Sequence, residues 1–242
     1  MIKTLKAELI KLRGSWLLPL AVAGPVGLGM LAGLAIFSAN KTPGWEALLN
    51  SLILPLWSLF LLPMLVVAFT ALLVQLEHSS RAFEHLLALP TSRWSIFSAK
   101  ILLAISAVYL MSWLMPLVVW ASASCVAAIM GKQIPGQFDV ASIMKVTTLV
   151  ASGALPLTVL QMWIGLRFRS FVVPISIGIV GVLITLAIAL TGTTKADWAP
   201  YAQPFLIVTR PEAAFVRVQL ATSIAVILIP FTLIHLSRRE VH

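Results

Sequence analysis

Charge is what this sequence has least of. Of 242 residues only eight are acidic and seventeen basic, 10% charged in all, while 60% are hydrophobic and the mean hydropathy is +1.02. A soluble domain carries about a quarter charged residues, because a folded surface has to be coated with polar groups. So few charges exclude that class and point to an all-α integral membrane protein. Cysteine is almost absent too. Cys125 is the single one and lies in an apolar run, which removes both a disulfide framework and a cysteine-based metal site. The net charge of +9 comes from bases scattered singly between apolar runs, with no basic stripe interleaved with aromatics. Nucleic acid is therefore not the expected partner, and a lipid bilayer is.

Several chemistries are missing as well. A phosphate-binding GxxxxGK[ST] loop does not occur: Gly131-Lys132 is the one Gly-Lys pair, with Val126 at the first glycine position and Gln133 where Ser or Thr is needed. There is no HExxH and no GxSxG, so neither metalloprotease nor serine-hydrolase chemistry is expected, and no cofactor or metal is expected on this chain. Any ATP and Mg in its working cycle are expected on another polypeptide.

What is present is apolar length. A bilayer core of about 30 Å needs roughly 20 helical residues, and charge-free runs near 15–38, 48–75, 101–130, 146–166, 171–190 and 218–236 predict six spans in one domain covering 1–242. Pro116 sits inside the third, placed to kink it. None of these runs holds Asp, Glu, Lys or Arg, which argues against an ion-coupled carrier, since such carriers keep ionisable groups at depth. Their mild polar groups, among them Ser106, Ser112, Thr147, Thr148, Thr158, Gln161 and Thr185, read first as helix packing or backbone bonding. Gly24, Gly27, Gly29 and Gly33 make a small-residue seam in the first run, including a GxxxG. Such a seam lets another helix approach, within the chain or from a second copy.

The first 14 residues, MIKTLKAELIKLRG, place Ile2, Leu5, Leu9 and Leu12 at helical spacing with the charges mostly elsewhere around the wheel, predicting an N-terminal interfacial helix. A basic start before an apolar run also resembles a secretory signal, but 15–38 is longer than a usual signal core. Six spans put both termini on one side. Lys3, Lys6, Lys11, Arg13, Arg81, Arg93, Lys100, Arg167, Arg169, Arg238 and Arg239 share that side, and the acids divide evenly, so it is read as cytoplasmic. On the opposite side the segment 191–217 has Pro200, Pro204 and Pro211 with Trp198, Tyr201 and Phe205, which suits a headgroup-level or partly re-entrant external element.

The inward connection at 76–100, LEHSSRAFEHLLALPTSRWSIFSAK, is where charges keep returning in the first half of the chain. A helix from about Ser80 to Leu89 would put Phe83, Leu86 and Leu87 on one face, with Glu77, Arg81 and His85 on another. Pro90 ends it, Thr91 or Ser92 can cap the next helix, and Trp94 and Lys100 mark re-entry into the bilayer. This is either a docking helix for a soluble partner or an amphipathic loop resting on lipid.

The acidic residue closing the second span, the short helix, the LL-x-x-P of Leu86, Leu87 and Pro90, and the basic residue leading to Lys100 resemble the type-two permeases of ATP-binding-cassette exporters. The layout of the whole chain is similar to theirs, and FEHLLALPTSRWSIFSAK is most like permease subunits of the lantibiotic-immunity and bacitracin-resistance kind. The chain departs from many members in having Ser79-Ser80-Arg81 where they carry Gly-Thr. The resemblance implies a short cytoplasmic coupling helix that docks on an ATPase subunit through Glu77, Arg81, Phe83, Glu84, Leu86, Leu87, Pro90 and Arg93. It implies a second permease chain, identical or related, ATP and Mg bound by the ATPase, and a multi-pass location in a bacterial plasma membrane. Export of an amphipathic peptide antibiotic or a lipid-like compound is the expected function. The competing expectations are a scaffold subunit that moves nothing and a homodimeric exporter of a lipid or other small hydrophobic compound.

Overall fold

The computed structural model describes residues 10, 12, 14–78, 93–168 and 170–237; of 76–78 and 93 only the helical backbone is described. No strand occurs among the described residues. The helices are α1 (Leu17–Ser38), α2 (residues 45–78), α3 (Arg93–Ile129), α4 (Val140–Gly153), α5 (Leu155–Arg167), α6 (Val172–Thr191), α7 (Gln203–Thr209) and α8 (Ala214–Ser237). Five of them are long and apolar enough to cross a bilayer, six crossings if the bent pair α4–α5 counts as one. The helices follow the apolar runs but outlast several of them. α3 begins at Arg93 and so includes Lys100, which is fully buried within the bundle. α4 begins early enough to include the exposed Lys145.

The most extensive pairing is α1 on α3. At one end it is fixed by Lys132, whose ammonium donates to the carbonyls of Ile36 (2.8 Å), Phe37 (3.1 Å) and Ala39 (2.9 Å). Those carbonyls are the unsatisfied acceptors at a helix C-terminus, where a cation is also favoured by the helix dipole. Gly131 makes this reach possible. Its φ of +62° lets the chain turn off α3 while Lys132 N donates back to Ala127 O, the wide closing bond of a glycine C-cap. The neighbouring loops are joined in the same place: Trp45 N donates to Pro135 O at 3.0 Å, and the Trp45 ring meets Phe138 edge-on at 4.9 Å.

Pro116 does not break α3, which runs unbroken through it for 37 residues. The irregularities fall elsewhere. α2 widens into π-turns at Leu49–Ile53 and Trp57–Leu61, each just upstream of a proline, Pro55 and Pro63. A proline lacks the N–H and its ring crowds the carbonyl four residues back, so the turn before it opens. Between α4 and α5 the axis bends by 40° at Ala154. The cause is similar: Gly153 weakens the turn and Pro156 withdraws a donor from it.

Candidate functional site

α7 and the turns before it fill the space that these irregularities open. α7 packs against α4, α8 and the second π-turn of α2. Gly153, at the bend, is the contact point: a Cβ there would collide with Ile207 and would lie 3.4 Å from Pro204 N. Tyr201, Ala202, Gln203, Leu206 and Ile207 are all buried. Tyr201 lays its ring over Gly181, where an added Cβ would be 2.5 Å from the Tyr201 Cδ1. Gly181 is about 15 Å along α6 from Thr191, half the thickness of a hydrocarbon core. The segment therefore reaches deep into the bundle.

Polar side chains hold it there. Gln161 of α5 is fully buried and its Nε2 donates to the Tyr201 hydroxyl. In an apolar surrounding an unmade amide hydrogen bond costs several kcal/mol, so this pairing fixes how deep Tyr201 sits. Gln203 Nε2 donates to the carbonyls of Asp197 and Ala199, stiffening the turn that leads into α7. Above it, Asp197 Oδ2 accepts from Arg210 at 2.6 Å and from Arg217 at 2.8 Å, tying the 192–202 turn both to the far end of α7 and to the first turn of α8. Burial pushes the Asp197 pKa up, but the hydrogen bonds and charges of Arg217 and Arg210 outweigh it and hold the carboxyl below its usual range.

The candidate residues legible in the sequence lie elsewhere. Arg81, Phe83, Glu84, Leu86, Leu87 and Pro90 lie outside the described residues, as do Ile2, Leu5 and Leu9. Glu77 is in the last turn of α2 and Arg93 is the first residue of α3, so those two helices frame the connection. Leu12 is buried in the main core, ahead of a turn at Gly14. Gly24 meets Leu65 of α2. Gly29 and Gly33 meet α3, with Val118 Cγ1 2.8 Å and Ser122 Oγ 3.1 Å from where their Cβ atoms would be, while Gly27 faces open space. The seam thus closes on helices of the same chain.

Gln161, Asp197, Tyr201 and Arg217 are the residues the sequence reading did not single out as a site. Gln161 stands in the sequence among mild hydroxyls, most of which bond their own helix, as Thr158 does to Ala154 O and Thr185 to Gly181 O. A primary amide in an apolar run cannot satisfy itself that way with both its ends, and that was the available signal. The three aromatics singled out in 191–217 also part company: Trp198 is exposed, Phe205 half-buried and Tyr201 buried.

Among curated proteins, none matches the chain at a significant level. A family model described as ABC-2 family transporter protein matches residues 4–185, well over half of the chain, ending before the inserted turn and α7. With an all-helical bundle of five to six crossings behind that match, the chain belongs to the ABC-2 family of transporter proteins.

Proposed function

We propose that this chain exports an amphipathic compound, a peptide antibiotic or a lipid-like drug, as one of two permease chains driven by a separate ATPase. As a member of its family it is a multi-pass membrane permease component of an ATP-binding-cassette transporter and works with an ATPase subunit. The observation that carries an amphiphilic substrate is the character of the interior. Among the described residues the buried charged side chains are Lys100 and Arg217, and no carboxylate that would carry a coupling proton is buried. An amphiphile needs no charged pocket at depth, whereas ion coupling does.

On this reading the connection between α2 and α3 docks on the ATPase. Phe83, Leu86 and Leu87 enter a groove, Glu77, Arg81, Glu84 and Arg93 set orientation, and Pro90 ends the docking helix. ATP and Mg are bound by that partner, and closure of the nucleotide sites moves the docked segment. The test is co-purification of the chain with the ATPase encoded beside it, before and after Phe83→Asp and Leu87→Asp. Loss of the complex and of its ATPase activity is expected. Unchanged binding and turnover in the double variant would sink the docking assignment, and ATP hydrolysis without transport in reconstituted vesicles would favour a scaffold.

We further place both termini on the cytoplasmic side of a bacterial plasma membrane, from the distribution of Lys and Arg. In a Cys125→Ala background, a cysteine at Lys41 or Lys195 should react with an impermeant maleimide on whole cells, and one at Arg167 should not. The reverse pattern would invert the topology.

A further inference from the structure

We propose that the cleft between the last three turns of α3 and the 134–138 loop binds a neutral glycosyl group. It lies at the end of α3 remote from the α2–α3 connection, has a volume of about 580 Å³ and is lined by Trp45, Trp120, Ser124, Lys132, Gln137 and Phe138 together with small and aliphatic side chains. That volume is in the range of about 300–1,000 Å³ usual for small-ligand sites. The surface it presents is polar as much as apolar.

Charge narrows the ligand first. Lys132 is the one ionisable residue lining the cleft, and its three ammonium N–H groups are each spent on a carbonyl of Ile36, Phe37 or Ala39. An oxyanion would have to take one of those donors and leave an acceptor at the end of α1 unpaired. A cation would meet the Lys132 charge with no carboxylate in the lining to offset it, the neighbouring Asp139 being turned to Ser142 N as the cap of α4. Ligands of either sign are therefore disfavoured, and a neutral polar one is not.

The remaining groups say what kind. Gln137 is exposed and Ser124 half-buried, and neither side chain is bonded to another described residue. The pair offers an amide and a hydroxyl, each able to donate and to accept. Beside them stands an aromatic wall. Trp45, held by its N–H to Pro135 O, supports Phe138 edge-on, and Phe138 lies 6.5 Å from Trp120, whose ring is inclined to it by 48° and is 47% exposed. A pyranose ring matches both parts: a flat face of C–H groups for the open indole, and an edge of hydroxyls that donate and accept. An aromatic or aliphatic group would use the wall and leave the amide and the hydroxyl to water.

The helix below the cleft favours a lipid as the source of the sugar. Leu110, Trp113 and Leu117 continue the Trp120 face of α3 at helical spacing and are all exposed, so an acyl chain attached to the sugar has a surface to lie along. A free sugar has no use for that stripe. The inference needs α3 to lie in a bilayer and does not depend on the chain being an exporter.

The test is native mass spectrometry of the full chain purified in lauryl dimethylamine oxide, a detergent without sugar. It is titrated with glucosyl diacylglycerol, phosphatidylglycerol and phosphatidylcholine of matched acyl chains, and with methyl glucoside. Glucosyl diacylglycerol should bind about tenfold more tightly than either phospholipid. Trp120→Ala and Gln137→Ala should each abolish that preference without shifting thermal unfolding by circular dichroism, since both side chains are largely open, and Trp198→Ala, an exposed indole elsewhere, should keep it. Methyl glucoside displacing the glycolipid at equal concentration would identify a free sugar as the source of the glycosyl group; failure to displace it identifies the lipid. Phospholipids that bind as tightly as the glycolipid, or Trp120→Ala and Gln137→Ala variants that bind it as the parent does, overturn the proposal.

Discussion

The α1–α3 interface and the insertion around α7 solve the same problem, close packing inside a membrane, with opposite means. α1 meets α3 through glycines and small residues, and the described contacts along Gly29 and Gly33 involve no charge. The insertion meets its neighbours through an amide, a phenol and a carboxylate shared by two guanidinium groups. Hydrophobic burial does not discriminate between helix–helix and helix–lipid contact in a bilayer, so close backbone approach has to hold the first interface. The second includes irregular backbone, which is tolerated at depth only where protein satisfies it. Along its length the first interface is set by shape, with one polar pin at Lys132, while the second adds buried pairing to its close approaches at Gly153 and Gly181, so they should fail differently.

The largest effect should come from shape. Gly29→Leu drives a side chain into Val118, whose carbonyl is already 3.2 Å from where the Cβ would be, and should destabilise by about 3 kcal/mol. Thermal unfolding in detergent measures it, and Gly27→Leu on the open side of the same helix is the control. Asp197→Asn comes next. It removes the negative charge from beneath two guanidinium groups and should cost about 2 kcal/mol, read in the same assay and as faster proteolysis between 192 and 213. Tyr201→Phe keeps the ring over Gly181 but releases Gln161, for about 1 kcal/mol. If the glycine and aspartate variants lost stability equally at all pH values, the distinction between the two interfaces would collapse.

Acidity separates the interfaces further. The Asp197 pKa is lowered in the folded state, so its contribution is fully present above the unfolded carboxylate value of about 4 and is lost as pH falls through the lower folded value. Melting curves from pH 7 down to pH 3 should show the parent losing part of its stability at the acid end that Asp197→Asn has already lost. The Gly29→Leu deficit should be the same throughout. The smallest expected effect is that of Gly27→Leu, within about 0.5 kcal/mol of the parent.

The positions of the long helices were legible because a charge-free run of the right length has few alternatives in a bilayer. Their ends were less so: helices continue past the apolar core as long as the backbone can bond to itself, which carried α3 back to Arg93 and enclosed Lys100. Pro116 and Pro156 show what local sequence leaves open. Either proline can disturb a helix, but only the second comes just after a glycine and faces an inserted element that occupies the bend. The partners of Gln161 and Asp197 are far along the chain, at Tyr201 and at Arg210 and Arg217, and no spacing rule connects them. Periodicity reads a helix face, not what a distant turn will place against it.

The unbroken length of α3 has a mechanical consequence. Thirty-seven residues make a rod of about 55 Å, well beyond the hydrocarbon core. Its Arg93 end adjoins the connection from α2, and its other end is gripped to α1 through Lys132 and three carbonyls. If the connection does receive force from a partner, α3 has no break in its helix between the two ends to absorb it, and the end of α1 is tied to the far one. The α4–α5 pair, by contrast, has a joint at Ala154, and the insertion packs against it at Gly153.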